Sequence, residues 1–424
     1  MIRVIFAFLI LPASLIAELL SVEKAVQKAL ESAPNPKIAQ LNFKRSVTET
    51  RISNADLLPQ LNLNTSYYPH KTLVMPQNGV FSTRNSDTLH TDLSAKYLLW
   101  DGGVSSAKHQ SAKINEEAFA FKKKESAEEL AEQIKQLYYT IDFLKNRIRS
   151  ANASVLFYNE QLKRAHAMYR AGVKTEADES RFTASKYASE EVLHSLESDS
   201  RKKEHLLSQL IGTKESVEII EGSLETRFIS LPEMILFESL RTELIARNPV
   251  LGALSRGLES AKLGVDAAQG SQYGSIDAVA QYGWDKSLSS YDSSFFGVVG
   301  SVPLYDGSKK ESQLQKARLD HTLAQQEYRR YYDVLEQNLY EAVQDMNRSH
   351  HLLQTQNAIF VSAQKTLKLM QGRYTQGLSG YVDVLEAQSL YEQSQSGIDE
   401  AKLLKVLAWE RIEKLLNRGS KLHE

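Results

Sequence analysis

The chain has 424 residues, with 51 Lys plus Arg against 52 Asp plus Glu, a formal net charge of −1. That balance excludes a global basic field for nucleic acid. The lack of any cysteine excludes disulfide frameworks, thiolate metal sites, cysteine nucleophiles and cysteine-borne lipid.

Residues 1–17 read as a signal peptide: Arg3 precedes an apolar run that ends near Ala17, too short for a comfortable membrane span. An N-terminal anchor is the other reading of the same run. No later apolar stretch reaches 18 residues, so no transmembrane helix is expected downstream and the mature protein is expected to be exported.

The first repeat is placed at 18–212. A helix carrying Asn35-Pro36 leads into alternating segments at about 60–68 and 88–100. In these, Leu61, Leu63, Thr65 and Tyr67 share one face, and Leu89, Thr91, Leu93, Ala95, Tyr97 and Leu99 share the next. Period two predicts strands, with a polar loop at 69–87. Trp100-Asp101-Gly102-Gly103 marks a turn. A long helix follows over 103–171, because Leu130, Ile134, Leu137, Ile141, Leu144, Ile148, Ala151, Val155, Tyr158, Leu162, Ala165 and Tyr169 step by fours and threes. That is an a/d seam of about six heptads on a helix of roughly 100 Å. No proline falls between Pro76 and Pro232 to break it. The chain turns at Gly172-Val173-Lys174-Thr175 and returns through a helix at 176–210, with Asp178 near its start.

A linker at 213–235 carries little pattern. The second repeat, 236–417, follows the first at a fixed offset of 205 from Asp306 onward: Tyr305-Asp306-Gly307-Ser308, a long helix at 307–376, the turn Gly377-Leu378-Ser379, Asp383, and a return helix at 381–416. Its seam keeps register through Leu335, Leu339, Ala342, Met346 and on to Tyr374, with Ser349 and Gln356 as polar interruptions. Upstream, Asn248-Pro249 matches Asn35-Pro36 at an offset of 213, so the strand region differs in length by eight residues. Its strands are placed at about 275–284 and 294–304, with a loop at 285–293, and a short tail occupies 418–424. The turn glycines and the two Asp residues also have plain structural uses, as left-handed helix ends and favourable charges at helix N-termini.

Ten-residue alternating segments with aromatic ends resemble membrane β-barrel strands, and a soluble four-stranded sheet has the same pattern. Four strands cannot close a barrel. An open edge in hydrocarbon leaves backbone groups unsatisfied, so barrel strands on exported coils imply closure by several chains.

The duplicated order of Asn-Pro helix, strand pair, aromatic-Asp-Gly turn, long helix, Tyr-x-x-Gly turn, Asp and return helix resembles the TolC family of outer-membrane efflux proteins over about 20–417. The resemblance implies a fold that is mainly α with a β-barrel portion. It further implies a homotrimer, a 12-stranded barrel in outer-membrane lipid and an α-helical periplasmic barrel below it. Family members are passive ducts engaged by a periplasmic adaptor protein and an inner-membrane RND or ABC transporter, for small-molecule efflux or type I protein secretion. Carried over by motif, Tyr374 takes the constriction tyrosine, Asp383 and Glu386 the acidic ring of the aperture, and Asp178 the acid that pairs with the constriction. Gly172, Val173, Lys174, Thr175, Gly377, Leu378 and Ser379 take the adaptor-contact tips. Ser379 stands where some members have an arginine, so their locking salt bridge is not expected in that form. Lacking cysteine, the chain differs from lipid-anchored members.

An enzyme is disfavoured, since the ten histidines are dispersed without zinc-ligand spacing and there is no phosphate loop or nucleophile elbow. No cofactor, metal or nucleic acid is expected. A non-conducting periplasmic coiled-coil or adaptor protein is the competing class.

Overall fold

A computed structural model describes residues 19–77, 80–213 and 217–418. The proposed signal peptide lies outside the described residues, as does the tail beyond Arg418. In chain order the elements are α1 (Val22–Ser32), α2 (Pro34–Ala55), β1 (Gln60–Gln77), β2 (Val80–Trp100), α3 (Val104–Arg170), α4 (Glu176–Leu210) and α5 (Ser223–Ile229). They continue with α6 (Phe237–Arg247), α7 (Pro249–Gly270), a single 3-10 turn at Ser271–Tyr273, β3 (Ser275–Lys286), β4 (Ser290–Ser301), α8 (Lys309–Thr375) and α9 (Tyr381–Leu415). Two compact units emerge: a sheet unit of Lys37–Glu125 with Pro249–Val334, and a helical unit of Met1–Pro36, Ser126–Asn248 and Leu335–Glu424.

The repeat extends to backbone torsions. Helices α3 and α8 are 67 residues each and α4 and α9 are 35 each. Positive φ recurs at Gly102 and Gly307, Gly103 and Ser308, Gly172 and Gly377, and Gly212 and Asn417, each pair 205 apart. At the entry to α3, Asp101 accepts from the N–H groups of Gly103 and Ser105 at 3.0 and 2.7 Å. Asp306 does the same for Lys309 and Lys310, both at 3.1 Å. These carboxylates satisfy donors that a helix N-terminus leaves open.

In the sheet unit the strands run β1-β2-β3-β4, all antiparallel. The strand limits need correction. Most of the expected loop at 69–87 is strand, because pairing resumes at Lys71↔Ser86 and continues to Gln77↔Val80. Pro69 interrupts it only as an irregularity between Tyr68 and Lys71, tolerated because β1 is an edge strand. The expected loop at 285–293 shrinks to 287–289, and β4 stops at Ser301 before Pro303, which disfavours continuation.

One face of this sheet is largely apolar and open, and the other is mainly polar, with Phe295 and Val299 exposed on it. Leu61, Leu63, Tyr67, Leu93, Tyr97, Tyr282, Trp284, Phe296 and Val298 share one face and are exposed, Phe296 at 82%. The opposite face carries Asp92 and Asp277, each 8% exposed. There Lys96 pairs with Asp277 at 3.1 Å, and Asn64 donates to Asp92 at 3.1 Å.

In the helical unit the heptad seam is the core: Ile134, Ile141, Leu339, Ala342 and Met346 are fully buried. The linker, patternless in sequence, packs within this unit from residue 217 onward. Leu20 bridges Ile219, and Asp142 accepts from the N–H groups of Gly222 and Leu224 at 3.0 and 2.8 Å, capping α5 from α3. Arg227 of α5 meets Glu410 and Glu413 of α9 at 2.7 and 2.8 Å, and Lys135 reaches Glu410 at 2.7 Å. No described helix is long and apolar enough to cross a membrane.

Candidate functional site: the paired helical tips

At the end of the helical unit two turns face the same task. Each long helix closes with a left-handed glycine, Gly172 at φ 73° and Gly377 at φ 75°. Gly172 and Gly377 N–H donate to Tyr169 and Tyr374 carbonyls at 2.9 and 3.0 Å. Val173 and Leu378 N–H donate to Met168 and Arg373 carbonyls at 2.9 and 2.8 Å. This is the Schellman pattern that satisfies the last carbonyls of a helix, and it leaves Val173 and Leu378 projecting, 62% and 64% exposed.

Acidic groups open the return helices. Asp178 is half-buried and accepts from the Thr175 hydroxyl at 3.4 Å. Asp383 Oδ2 accepts from the Gly380 N–H at 2.8 Å, closing the first turn of α9. Asp383 and Glu386 are both exposed and, three apart on one helix, lie on the same side.

Tyr374 is placed differently from an exposed lining group. It is fully buried, 5.9 Å from the Phe182 ring centroid, while Phe182 meets Tyr381 edge-on at 4.4 Å. Burial, with Asp178 adding to it, pushes the Tyr374 phenol above its ordinary range; its hydroxyl has no hydrogen-bond partner. Tyr381 OH donates to the Arg181 carbonyl at 3.2 Å and pairs with the Ser185 hydroxyl at 2.8 Å. Lys174 Nζ donates to the Ser379 carbonyl at 3.3 Å and stands 4.9 Å from the Tyr374 ring centroid. Phe182 and Tyr381 escaped the sequence reading, because neither occupies an equivalent position in the two repeats; their only signal was aromatic character in a return helix.

Among the described residues no group of three His, Asp or Glu side chains is arranged to hold a metal ion. The chain thus holds two β-hairpins, each followed by a long helical hairpin. The sequence profile described as "Outer membrane efflux protein" matches residues 25–213 and 240–418. The chain belongs to that family, the TolC-like efflux channels, which are channels and not enzymes.

Solved structures give the same fold. CusC, described with conformational changes on folding and transmembrane channel formation, superposes with a TM-score of 0.83 at 15% identity, over 93% of this chain and 91% of its own. The outer membrane protein VceC of Vibrio cholerae gives 0.82 at 18%, over 93% and 95%. The open-state MtrE outer membrane channel of Neisseria gonorrhoeae gives 0.78 at 17%, over 93% and 88%. Among curated proteins there is no significant sequence match.

Proposed function

We propose that three copies of this chain close a twelve-stranded barrel in the outer membrane and continue as a helical duct through the periplasm. The observation that carries this reading is a sheet with two open edges and one open, largely apolar face. β1 pairs only with β2 and β4 only with β3 among the described residues, and Leu61, Leu63, Phe296 and Val298 stand exposed together on that face. In water such a face invites aggregation; in lipid it is the required surface, provided the edges pair with neighbours. From Ile276 to Trp284 the outward face spans nine residues, within the about 9–11 of a tilted membrane strand. Aromatic residues bracket it, Trp100 and Tyr305 at one end and Tyr67 and Trp284 at the other.

At the tips, Asp383 and Glu386 supply six carboxylates per trimer to a narrow aperture, favouring cations. Asp178 adds charge beside it, and Tyr374 anchors the aperture from within its own protomer. The projecting Val173 and Leu378, with Gly172, Lys174, Thr175, Gly377 and Ser379 around them, are the sockets for a periplasmic adaptor protein, whose partner is an inner-membrane RND or ABC transporter. That transporter selects the cargo, small molecule or type I secreted protein.

The test is single-channel conductance of the purified protein with its mass in detergent. A small cation-selective conductance from a three-chain particle is expected. A monomer or a water-soluble dimer sinks the channel reading and restores the non-conducting coiled-coil class.

A further inference from the structure

The polar face of the sheet carries one histidine held in an unusual way. His90 Nδ1 lies 2.7 Å from Asp285 Oδ1 and Nε2 lies 3.2 Å from Asp92 Oδ1. His90 and Asp92 belong to β2 and Asp285 to β3, the one strand pair that joins the two hairpins. The ring crosses beside Gly283, 3.7 Å from where a Cβ would stand, so a bulky side chain there would obstruct it. Asp92 in turn accepts from Asn64 of β1 at 3.1 Å. One polar chain thus spans three strands: Asn64, Asp92, His90, Asp285.

The protonation state follows from this geometry. A neutral imidazole has one N–H and one bare lone pair. With a carboxylate oxygen against each ring nitrogen, a neutral ring would set that lone pair against a carboxylate, whereas an imidazolium donates to both. The surroundings supply no competing cation. Ser66 stands opposite His90 on β1, Asp285 opposite it on β3, and Tyr291 opposite Asp285 on β4. Lys96 is engaged lower on the sheet with Asp277. The two carboxylates are 10% and 16% exposed, too enclosed to be neutralised by solvent alone.

We infer that His90 stands in the channel wall as an imidazolium that joins the two hairpins and sets the local charge of the lumen, a selectivity residue separate from the tip acids. With Asp92 and Asp285 it leaves one net negative charge per chain, where a neutral ring would leave two. That this face is a lumen rests on the channel reading above.

Two measurements on the full-length protein in detergent test it. Histidine-labelled 15N NMR near neutral pH, with His90→Gln identifying the signal, should show both ring nitrogens protonated; one bare nitrogen overturns the inference. In planar bilayers at low salt, where charges are least screened, His90→Gln should shift the reversal potential toward that of potassium. His90→Lys, which keeps the charge, should restore the wild-type value. Identical potentials for wild type and His90→Gln remove the selectivity role. If no protein in the series conducts, the channel reading fails, and the NMR spectrum still decides the state of the ring.

Discussion

Lys174 and Ser379 are the same position of the two repeats, 205 residues apart, and they touch: the lysine Nζ donates to the serine carbonyl at 3.3 Å while lying over the Tyr374 ring. The duplicated tips are thus tied by a contact between equivalent residues that have diverged. At this position the second repeat offers a backbone acceptor and the first supplies the cation.

Lys174→Met removes both the hydrogen bond and the cation–π contact. Together these are worth roughly 1–2 kcal/mol at a half-buried site, so amide exchange at 170–180 and 376–385 should accelerate about tenfold. Lys174→Arg should hold most of the protection. Unchanged exchange in the methionine variant would show that the tips are held by the aromatic cluster alone.

Gln356 packs on Gly397, where a Cβ would fall 2.6 Å from the glutamine Cδ. The equivalent pair in the first repeat is Ala151 and Val192, so bulk has changed sides between copies. Gly397→Ala gains about 1 kcal/mol of helix propensity and loses about 1–3 to overpacking, for a net loss in thermal unfolding. With Gln356→Ala added, the crowding disappears and the propensity gain remains. A double-mutant cycle showing additivity within about 0.5 kcal/mol would refute the coupling.

Arg227→Ala should cost about 3 kcal/mol in unfolding, because it strips one of the cations from Glu410, whose side chain is 1% exposed. This network also marks where sequence reading stopped. The seam from Leu130 to Ala165 was legible because period and apolarity coincide over many turns. The linker was not, because Arg227 finds its partner 183 residues away and Asp142 finds its partners 80 and 82 residues away. No local pattern encodes either. The strand continuation past Pro69 was missed for a related reason: backbone pairing on an edge strand asks little of its side chains. At the tips, Gly172 with Gly377 and Asp178 with Asp383 were legible by repetition, whereas Glu386 corresponds to Arg181 and rested on the family resemblance. The burial of Tyr374 followed from its place in the seam, but its neighbours Phe182 and Tyr381 did not, since they come from different helices.

Glu128 of α3 is buried, and desolvation pushes its carboxyl above the ordinary range, opposed by Lys135 and reinforced by Glu413. A carboxyl raised in the folded state stabilises below its unfolded value, and that contribution is lost as pH rises through the folded value. Glu128→Gln should therefore raise the unfolding temperature at neutral pH. The gain should close as pH falls toward about 4.5, where the native carboxyl is itself neutral. A gain that persists unchanged in acid would assign the effect to packing.

The acidic pair at the aperture calls for substitutions that respect its structural duty. Asp383 closes the first turn of α9 through Gly380, so alanine there would remove a helix cap, worth about 1 kcal/mol, together with the charge. Asp383→Asn with Glu386→Gln removes both charges, and the asparagine oxygen can still accept from Gly380. In the proposed trimeric channel this pair should lower cation selectivity and weaken block by multivalent cations on the order of tenfold, the factor for about 1.4 kcal/mol of lost attraction. The unfolding temperature should stay near wild type. Selectivity and block that survive the double substitution would take the ring out of the mechanism, because six charges cannot be silent in an aperture they line. Block that falls together with the unfolding temperature would instead trace the effect to a loosened helix start. The Glu386→Gln single variant then separates the two, since it removes three of the six charges and leaves Asp383 and its cap untouched.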